Sequence, residues 1–293
     1  MTPVLITGCS SGIGAAIAAR LARADWPVYA TARRLDMLDT LREAGAKTLA
    51  LDVTNEDSMR NAVAVIEREH GSVGALVNNA GFGQSGALEE VPIDALRRQF
   101  DTNVFGLLRL TQLVLPGMRR ARQGRIVNMG SMGGRLTFPG GGAYHATKHA
   151  LVALNDALRF EVRGFGIDVV LVEPGLIRTG FGEVALASLD RLERPQSPYA
   201  HFNREVGRIT TESYEKGPVA RLSGSADDVA AVVELALTAA RPKTRYQVSA
   251  SARIFLTLRR LLSDRRWDAF LRRTYPSPGR AQTGRLDPGG PSV

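Results

Sequence analysis

Short, mostly apolar runs recur along the chain at residues 4–7, 27–32, 47–51, 74–77, 125–129, 167–172 and 245–248. Each is too short for a typical helix and lacks the alternation of a strand with one wet face, so each predicts a strand buried on both sides. Longer stretches between them carry apolar positions three and four apart. They are the alanine-rich 15–24, then 58–70, 92–115, a helix starting near Ala143, and 226–240. Asn55 or Asp57 is placed to cap the helix over 58–70, and Ser225 to cap the one over 226–240. Strands alternating with helices predict βαβ units in a mostly parallel sheet, whose ligands bind outside the carboxyl ends of the strands. Residues 180–224 break the alternation. They read as irregular with short helical pieces, interrupted by Pro195, Pro198 and Pro218, which predicts a lid over such a site.

Composition narrows this picture little and charge changes it more. A chain of 293 residues, 44% hydrophobic and 23% charged, can bury its core as one α/β domain. The single cysteine, Cys9, excludes an internal disulfide and fits a reducing compartment. The chain runs at once into the apolar residues 3–7 with no signal-peptide pattern, so a cytoplasmic location is expected. Residues 241–293 carry 11 Arg and one Lys against three Asp, a surplus equal to the whole-chain net charge of +9. The body is therefore neutral and the C-terminal part basic, which argues against a domain built to grip nucleic acid.

Candidate chemistry falls at the predicted strand ends. Gly8, Ser10, Ser11, Gly12, Ile13 and Gly14 lie between the first strand and the first helix. Backbone N–H groups and the helix dipole face a phosphate at such a place, glycines allow close approach, and the serines add hydroxyl donors. The second strand ends in Arg33-Arg34 with no acid between Asp25 and Asp36. An acid there would bond a ribose 2′-hydroxyl and an arginine would accept a 2′-phosphate, so Arg33 argues for NADP(H) and the other arginine for a solvated charge. Asp52, after the third strand, could reach an adenine amino group. Asn78-Asn79-Ala80-Gly81 follows the fourth strand. Asn103 is a polar residue inside an apolar helix, read equally as a satisfied buried amide or a catalytic group. Ser131 follows the fifth strand, thirteen residues before Tyr144-His-Ala-Thr-Lys148. Tyrosine and lysine four apart share one helix face, and a nearby ammonium would lower the phenol from its usual pKa of about 10 into a usable range. No metal is expected.

Taken together, these motifs resemble the short-chain dehydrogenase/reductase family in its shorter, single-domain form, over roughly residues 3–250. The carrying residues are Thr7-Gly8-Cys-Ser-Ser-Gly12-Ile-Gly14, Asp52-Val53, Asn78-Asn79-Ala80-Gly81, Asn103, Ser131, Tyr144-x-x-x-Lys148 and Pro174-Gly175-Leu-Ile-Arg-Thr179. The resemblance implies a Rossmann-type doubly wound parallel sheet of about seven strands flanked by helices. It also implies hydride transfer between NADP(H) and a carbonyl or alcohol, with Tyr144 as general acid/base and Lys148 bonding the nicotinamide ribose and acidifying the phenol. Ser131 would hold the carbonyl oxygen, and Asn103 would anchor a water that joins Lys148 to solvent. Gly8, Gly12 and Gly14 would line the pyrophosphate, Asp52 and Val53 the adenine, and Asn79, Ala80 and Gly81 the sheet beside the cofactor. Pro174, Gly175, Ile177 and Thr179 would meet the nicotinamide end. Gly130 departs from a serine frequent in the family. The second strand, the lid and the basic extension are similar to branches that act on steroids, retinoids and other bulky lipophilic alcohols. Ser131, Met132, Phe138, Tyr144 and Phe181 are then the expected substrate contacts, Met132, Leu136 and Phe138 forming an open apolar lip. Relatives commonly form homodimers or homotetramers.

The expected organisation is a catalytic domain over 1–250 including the lid, a helical basic extension over 251–275, and a Pro/Gly-rich disordered tail over 276–293. Residues 253–262 and 264–275 read as two helices broken at Ser263, with Ile254, Leu258 and Leu261 on one apolar face and Trp267, Phe270 and Leu271 on the other helix. Two fates fit that extension. Its apolar face packs on the body or a sister subunit, or it lies on an anionic membrane. Beside the enzyme stand two other readings: a cofactor-sensing protein that has abandoned chemistry, and a docked scaffold working through the basic tail.

Overall fold

The computed structural model describes residues 1–190 and 196–279. Its strands are β1 (Val4–Ile6), β2 (Val28–Ala32), β3 (Lys47–Ala50), β4 (Ala75–Asn78), β5 (Gly124–Met129), β6 (Ile167–Pro174), β7 (Ile177–Arg178), β8 (Gly224–Ser225) and β9 (Arg245–Val248). Seven of them make one sheet in the order β3-β2-β1-β4-β5-β6-β9, every neighbouring pair parallel, while β7 and β8 pair separately. The helices are α1 (Gly12–Arg23), α2 (Asp39–Glu43), α3 (Glu56–His70), α4 (Ile93–Phe100), α5 (Leu107–Ala121), α6 (Gly142–Val162), α7 (Phe181–Asp190), α8 (Ala200–Glu215), α9 (Gly217–Ala220), α10 (Ala226–Thr238), α11 (Ala250–Leu261) and α12 (Asp264–Leu271).

Alternate residues of the central strands feed opposite cores, which is why those runs are apolar, whereas the edge strands β3 and β9 are partly exposed. Ile6, Val77, Val127 and Val172 face one side, with Ile17 of α1 and Val233 of α10. Leu5, Leu76, Ile126 and Val169 face the other, with Ile66 of α3 and Val114 of α5, and Leu151 of α6 continues that layer. The strand order reverses at β1, which lies between β2 and β4, so the first crevice at the carboxyl rim opens beside the glycine-rich turn.

Several boundaries depart from the pattern-based reading. The helix expected over 92–115 is α4 and α5 joined by a π-helical turn at Asp101–Gly106. Of the two candidate caps, Asn55 takes the amide of Ser58 on α3, and Ser225 forms a reciprocal capping box with Asp228 on α10. The lid is far more regular than expected: α8 runs 16 residues, with Phe202, Val206 and Ile209 buried along one face. Residues 191–195 of the lid, Pro195 among them, lie outside the described residues.

The C-terminal extension also differs. Its first helix starts at Ala250 and its second ends at Leu271, with Ser263 at the N-cap position but making no side-chain cap bond. The buried face is Ala252, Leu256 and Trp267, packed with Phe255 and Phe270 on Met132, Leu136 and Phe138. Ile254 and Leu261, expected on the apolar face, stand outside at 48% and 74% exposure. Tyr275 then turns back and packs with Phe202 and Val206 of the lid. The extension is thus part of the folded body, and residues 280–293 of the expected tail lie outside the described residues. Among the described residues no helix is long and apolar enough to cross a membrane.

Candidate active site

The glycine-rich turn is tight for a backbone reason. Gly8 and Gly12 have φ of +72° and +57°, and a Cβ on Gly14 would lie 2.2 Å from the carbonyl oxygen of Gly8. Asn79 locks this turn to the next strand end, its Nδ2 donating to the carbonyls of Thr7 and Gly8 at 2.9 and 3.0 Å. The amides of Asn79 and Ala80 in turn donate to the Thr7 hydroxyl. Ser10 and Ser11 are exposed, no side chain caps α1, and its first turn holds no acid, so its leading N–H groups face the rim without a protein partner. Ile13 sends its side chain into the core and offers the site only its backbone.

Around the rim the remaining strand ends line up beside this turn. Arg34 bonds the Met37 thioether and lies 3.8 Å from Asp36, whereas Arg33 is exposed with no ion pair among the described residues. Asp52 uses Oδ1 to accept from both the amide and the hydroxyl of Thr54 and keeps Oδ2 clear of protein donors. Val53 is core, and the π-helical turn before α5 approaches it so closely that a Cβ on Gly106 would lie 2.3 Å from its carbonyl. Gly81 sits against Asn103. At the far end Pro174 and Gly175 abut α11, Gly175 so closely that a Cβ would meet the Ser251 hydroxyl at 2.4 Å. Ile177 is buried in the core, and Thr179 lies beside Gly12.

Ser131, Tyr144 and Lys148 come together at the ends of β5 and α6. Ser131 sits in extended backbone at the start of a short turn, its Oγ accepting the amide of Gly133 at 3.0 Å, so its proton remains to be donated. Lys148 is 7% exposed, donates to the Met129 carbonyl at 2.7 Å and lies 5.7 Å from the Tyr144 ring centroid. Burial pushes the lysine down to about 8. Burial also raises the Tyr144 phenol well above its ordinary value, with Ser131 pulling the other way and Tyr214 of α8 adding to the rise. The expected acidified phenol is therefore corrected: desolvation raises it, and the hydrogen bond with Ser131, rather than the lysine, is what pulls it back.

Other expectations change as well. Asn103 is 1% exposed, and its amide is occupied at both ends: Oδ1 takes the amide of Phe82, while Nδ2 donates to the Phe82 carbonyl and the Thr147 hydroxyl. Its side chain is thereby satisfied within the protein and braces the loop after β4 to α6. Met132 and Phe138 are no open lip. Phe138 makes edge contacts with Phe255 and His145 beneath the C-terminal helices. Phe181 does reach the site, its ring 5.2 Å from that of Tyr144 and close against Gly83, so the start of α7 covers the phenol. Gly130 has a packing reason: a Cβ there would lie 3.0 Å from Leu171 and from the Val172 carbonyl.

Two groups escaped the sequence reading. Glu173 has no exposed side-chain surface, pairs with Arg245 at 3.2 Å and Arg135 at 3.7 Å, and ties β6 to β9 and to the turn after Ser131. Burial raises its carboxyl despite both arginines. An acid directly after the apolar run 169–172 was the available signal. Tyr214, pushed up to about 12 by burial, packs on Gly182 behind Phe181. Nothing in a lone tyrosine late in the lid marks it out.

A dinucleotide fits these residues: unpartnered N–H groups at α1, a turn only glycine can make, and a lone cation at the end of β2. The family described as short chain dehydrogenase matches residues 2–188, and the chain belongs to it. It is 36% identical to the uncharacterized oxidoreductase YbbO of Escherichia coli K12, over 92% of this chain and 93% of that one. It is 32% identical to an NADPH-dependent 3-dehydrocapnine reductase of Ornithobacterium rhinotracheale, covering 92% and 95%. It is 40% identical to human retinol dehydrogenase 8 over 66% of this chain and 64% of that one. Among solved structures, a short-chain dehydrogenase from Streptomyces avermitilis superposes with a TM-score of 0.75 at 36% identity, covering 93% and 98%. A serine dehydrogenase complexed with NADP+ gives 0.73 at 27% identity, covering 84% and 94%. A Burkholderia phymatum family member complexed with NAD gives 0.75 at 26% identity, covering 96% and 98%. The fold is that of an oxidoreductase binding a nicotinamide dinucleotide.

Proposed function

We propose that the protein reduces the carbonyl of a lipophilic substrate with NADPH, and oxidises the corresponding alcohol in reverse. The observation that carries this is the cluster of half-buried Ser131 and Tyr144 with buried Lys148 at the carboxyl rim of the sheet. When bound, NADP(H) supplies or accepts the hydride. The chain's own part is the proton. A phenol raised by burial holds its proton near neutrality, which suits a donor to the substrate oxygen as that oxygen gains charge. Ser131, its Oγ already taken as acceptor, donates a second hydrogen bond to that oxygen. The Lys148 ammonium stabilises the phenolate left behind, and in the oxidative direction the same phenolate takes the alcohol proton.

Arg33 supports NADP(H) over NAD(H), since it is the unpaired cation where a 2′-phosphate would lie. An apolar substrate is supported by Phe181 over the phenol and by the Phe202, Val206 and Tyr275 packing of the lid behind it. The retinol and 3-dehydrocapnine activities named for two relatives point the same way. The test is NADPH oxidation by purified protein against ketones and aldehydes graded from small and polar to steroid-sized. Consumption favouring the bulky apolar members is expected. No consumption with any member, or preference for the small polar ones, contradicts the proposal.

A further inference from the structure

The outer face of the C-terminal helix pair is built unlike the rest of the surface. Residues 250–275 hold seven arginines against two aspartates. Only Arg259 is paired, with Asp264. Arg253, Arg260, Arg265, Arg266, Arg272 and Arg273 are exposed and have no ion pair among the described residues. On several other helices an acid is placed beside the arginine. Arg60 pairs with Glu56, Arg97 with Asp94, Arg159 with Asp156, and Arg208 with both Glu205 and Glu212, each within a turn of its own helix.

Ile254 and Leu261 stand beside Arg253 and Arg260 on α11, 48% and 74% exposed, seven residues and so two helical turns apart. The pair is not left over from core packing, because the inner face of the extension is filled separately by Leu256, Phe255 and Trp267. Unpaired arginines around protruding aliphatic side chains match a surface that is anionic at its skin and apolar just beneath. A nucleic acid offers the charge without the apolar layer.

We propose that this face, Arg253, Ile254, Arg260, Leu261, Arg265 and Arg266, seats the protein on an anionic lipid bilayer. The inner side of the same helices rests on Leu136 and Phe138, in the segment between Ser131 and Tyr144, and Tyr275 reaches the lid. Docking therefore sets the active-site segment about one helix diameter, roughly 10 Å, from the lipid. The inference stands on the surface alone, whether or not the catalytic reading holds.

The experiment is flotation of full-length protein with vesicles of phosphatidylcholine, with or without phosphatidylglycerol, at about 0.1 M salt. Binding only to the mixed vesicles, weakened by added salt, is expected. Each basic side chain near such a surface multiplies partitioning about fivefold, so reversing Arg260, Arg265 and Arg266 together to Glu lowers it by at least about a hundredfold. Ile254→Asp with Leu261→Asp lowers it by about tenfold or more with every arginine in place. Thermal unfolding of each variant checks that it folds. Equal binding to neutral vesicles, no binding, unchanged binding of the triple variant, or indifference to the aspartates overturns the proposal. So does a DNA duplex that displaces the vesicles at equal phosphate, or a change of oligomeric mass on charge reversal, which would assign the face to nucleic acid or to a second copy.

Discussion

Burial works against the ionised forms of both Tyr144 and Lys148 at the centre of the site. Lys148 falls from 10.5 to about 8, so holding its ammonium in the folded protein costs about 3 kcal/mol. Between those two values the folded protein has released the proton while the unfolded chain still binds it, so stability rises with pH across the window. Chemical denaturation from pH 7 to 10 is expected to show that rise in the wild type and to lose it in Lys148→Met; equal slopes would contradict the assignment. Arg33 makes a second residue-scale claim. Arg33→Asp is expected to weaken NADPH binding about 10- to 100-fold, the scale of one charged hydrogen-bonding contact, and NADH far less. Equal loss of both, measured by fluorescence titration, would remove the 2′-phosphate argument. Identity and spacing were legible at both positions. Environment was not: nothing in Tyr144-x-x-x-Lys148 says that burial would raise the phenol, or that Asn103 would spend its amide on Phe82.

The glycine-rich turn, the lid and the C-terminal helices show what element-level pattern can carry. The turn was legible because backbone crowding admits only glycine there. Gly14→Ala, its new Cβ placed 2.2 Å from the Gly8 carbonyl, is expected to destabilise the fold by about 1–3 kcal/mol and abolish dinucleotide binding. Urea unfolding and cofactor titration check both, and an unperturbed variant would mean the turn can open. The lid was misread as irregular although Phe202, Val206 and Ile209 repeat at helical spacing. Gly207, Thr210 and Thr211 weaken intrinsic helix propensity there, and burial against Leu189 and Tyr275 supplies what propensity does not. The extension failed for a related reason. Apolar residues occur around most of α11, so periodicity could not say which stripe meets the body, and Ile254 and Leu261 were assigned to the wrong side.

Across the whole molecule the sheet does the organising. Parallel strands bring the turn after β1, Arg33, Asp52, Asn79, Ser131 and Gly175 to one rim although they span most of the first 175 residues. The positions of the seven sheet strands were legible along the chain, most clearly for the central ones, whose runs are apolar because both faces are buried. What lay beyond reach was long-range closure: Glu173 binding Arg135 and Arg245 across three segments, and Tyr275 packed on the lid. These contacts join residues dozens of positions apart and leave no local signal.

The central claim is that the Tyr144 phenol exchanges the proton with the substrate oxygen. Steady-state kinetics of Tyr144→Phe, beside NADPH affinity by titration, test it directly. The account predicts that kcat/KM for the best carbonyl falls by about 10²–10⁴ while NADPH affinity stays near wild type. A variant reducing that carbonyl at the wild-type rate would contradict it.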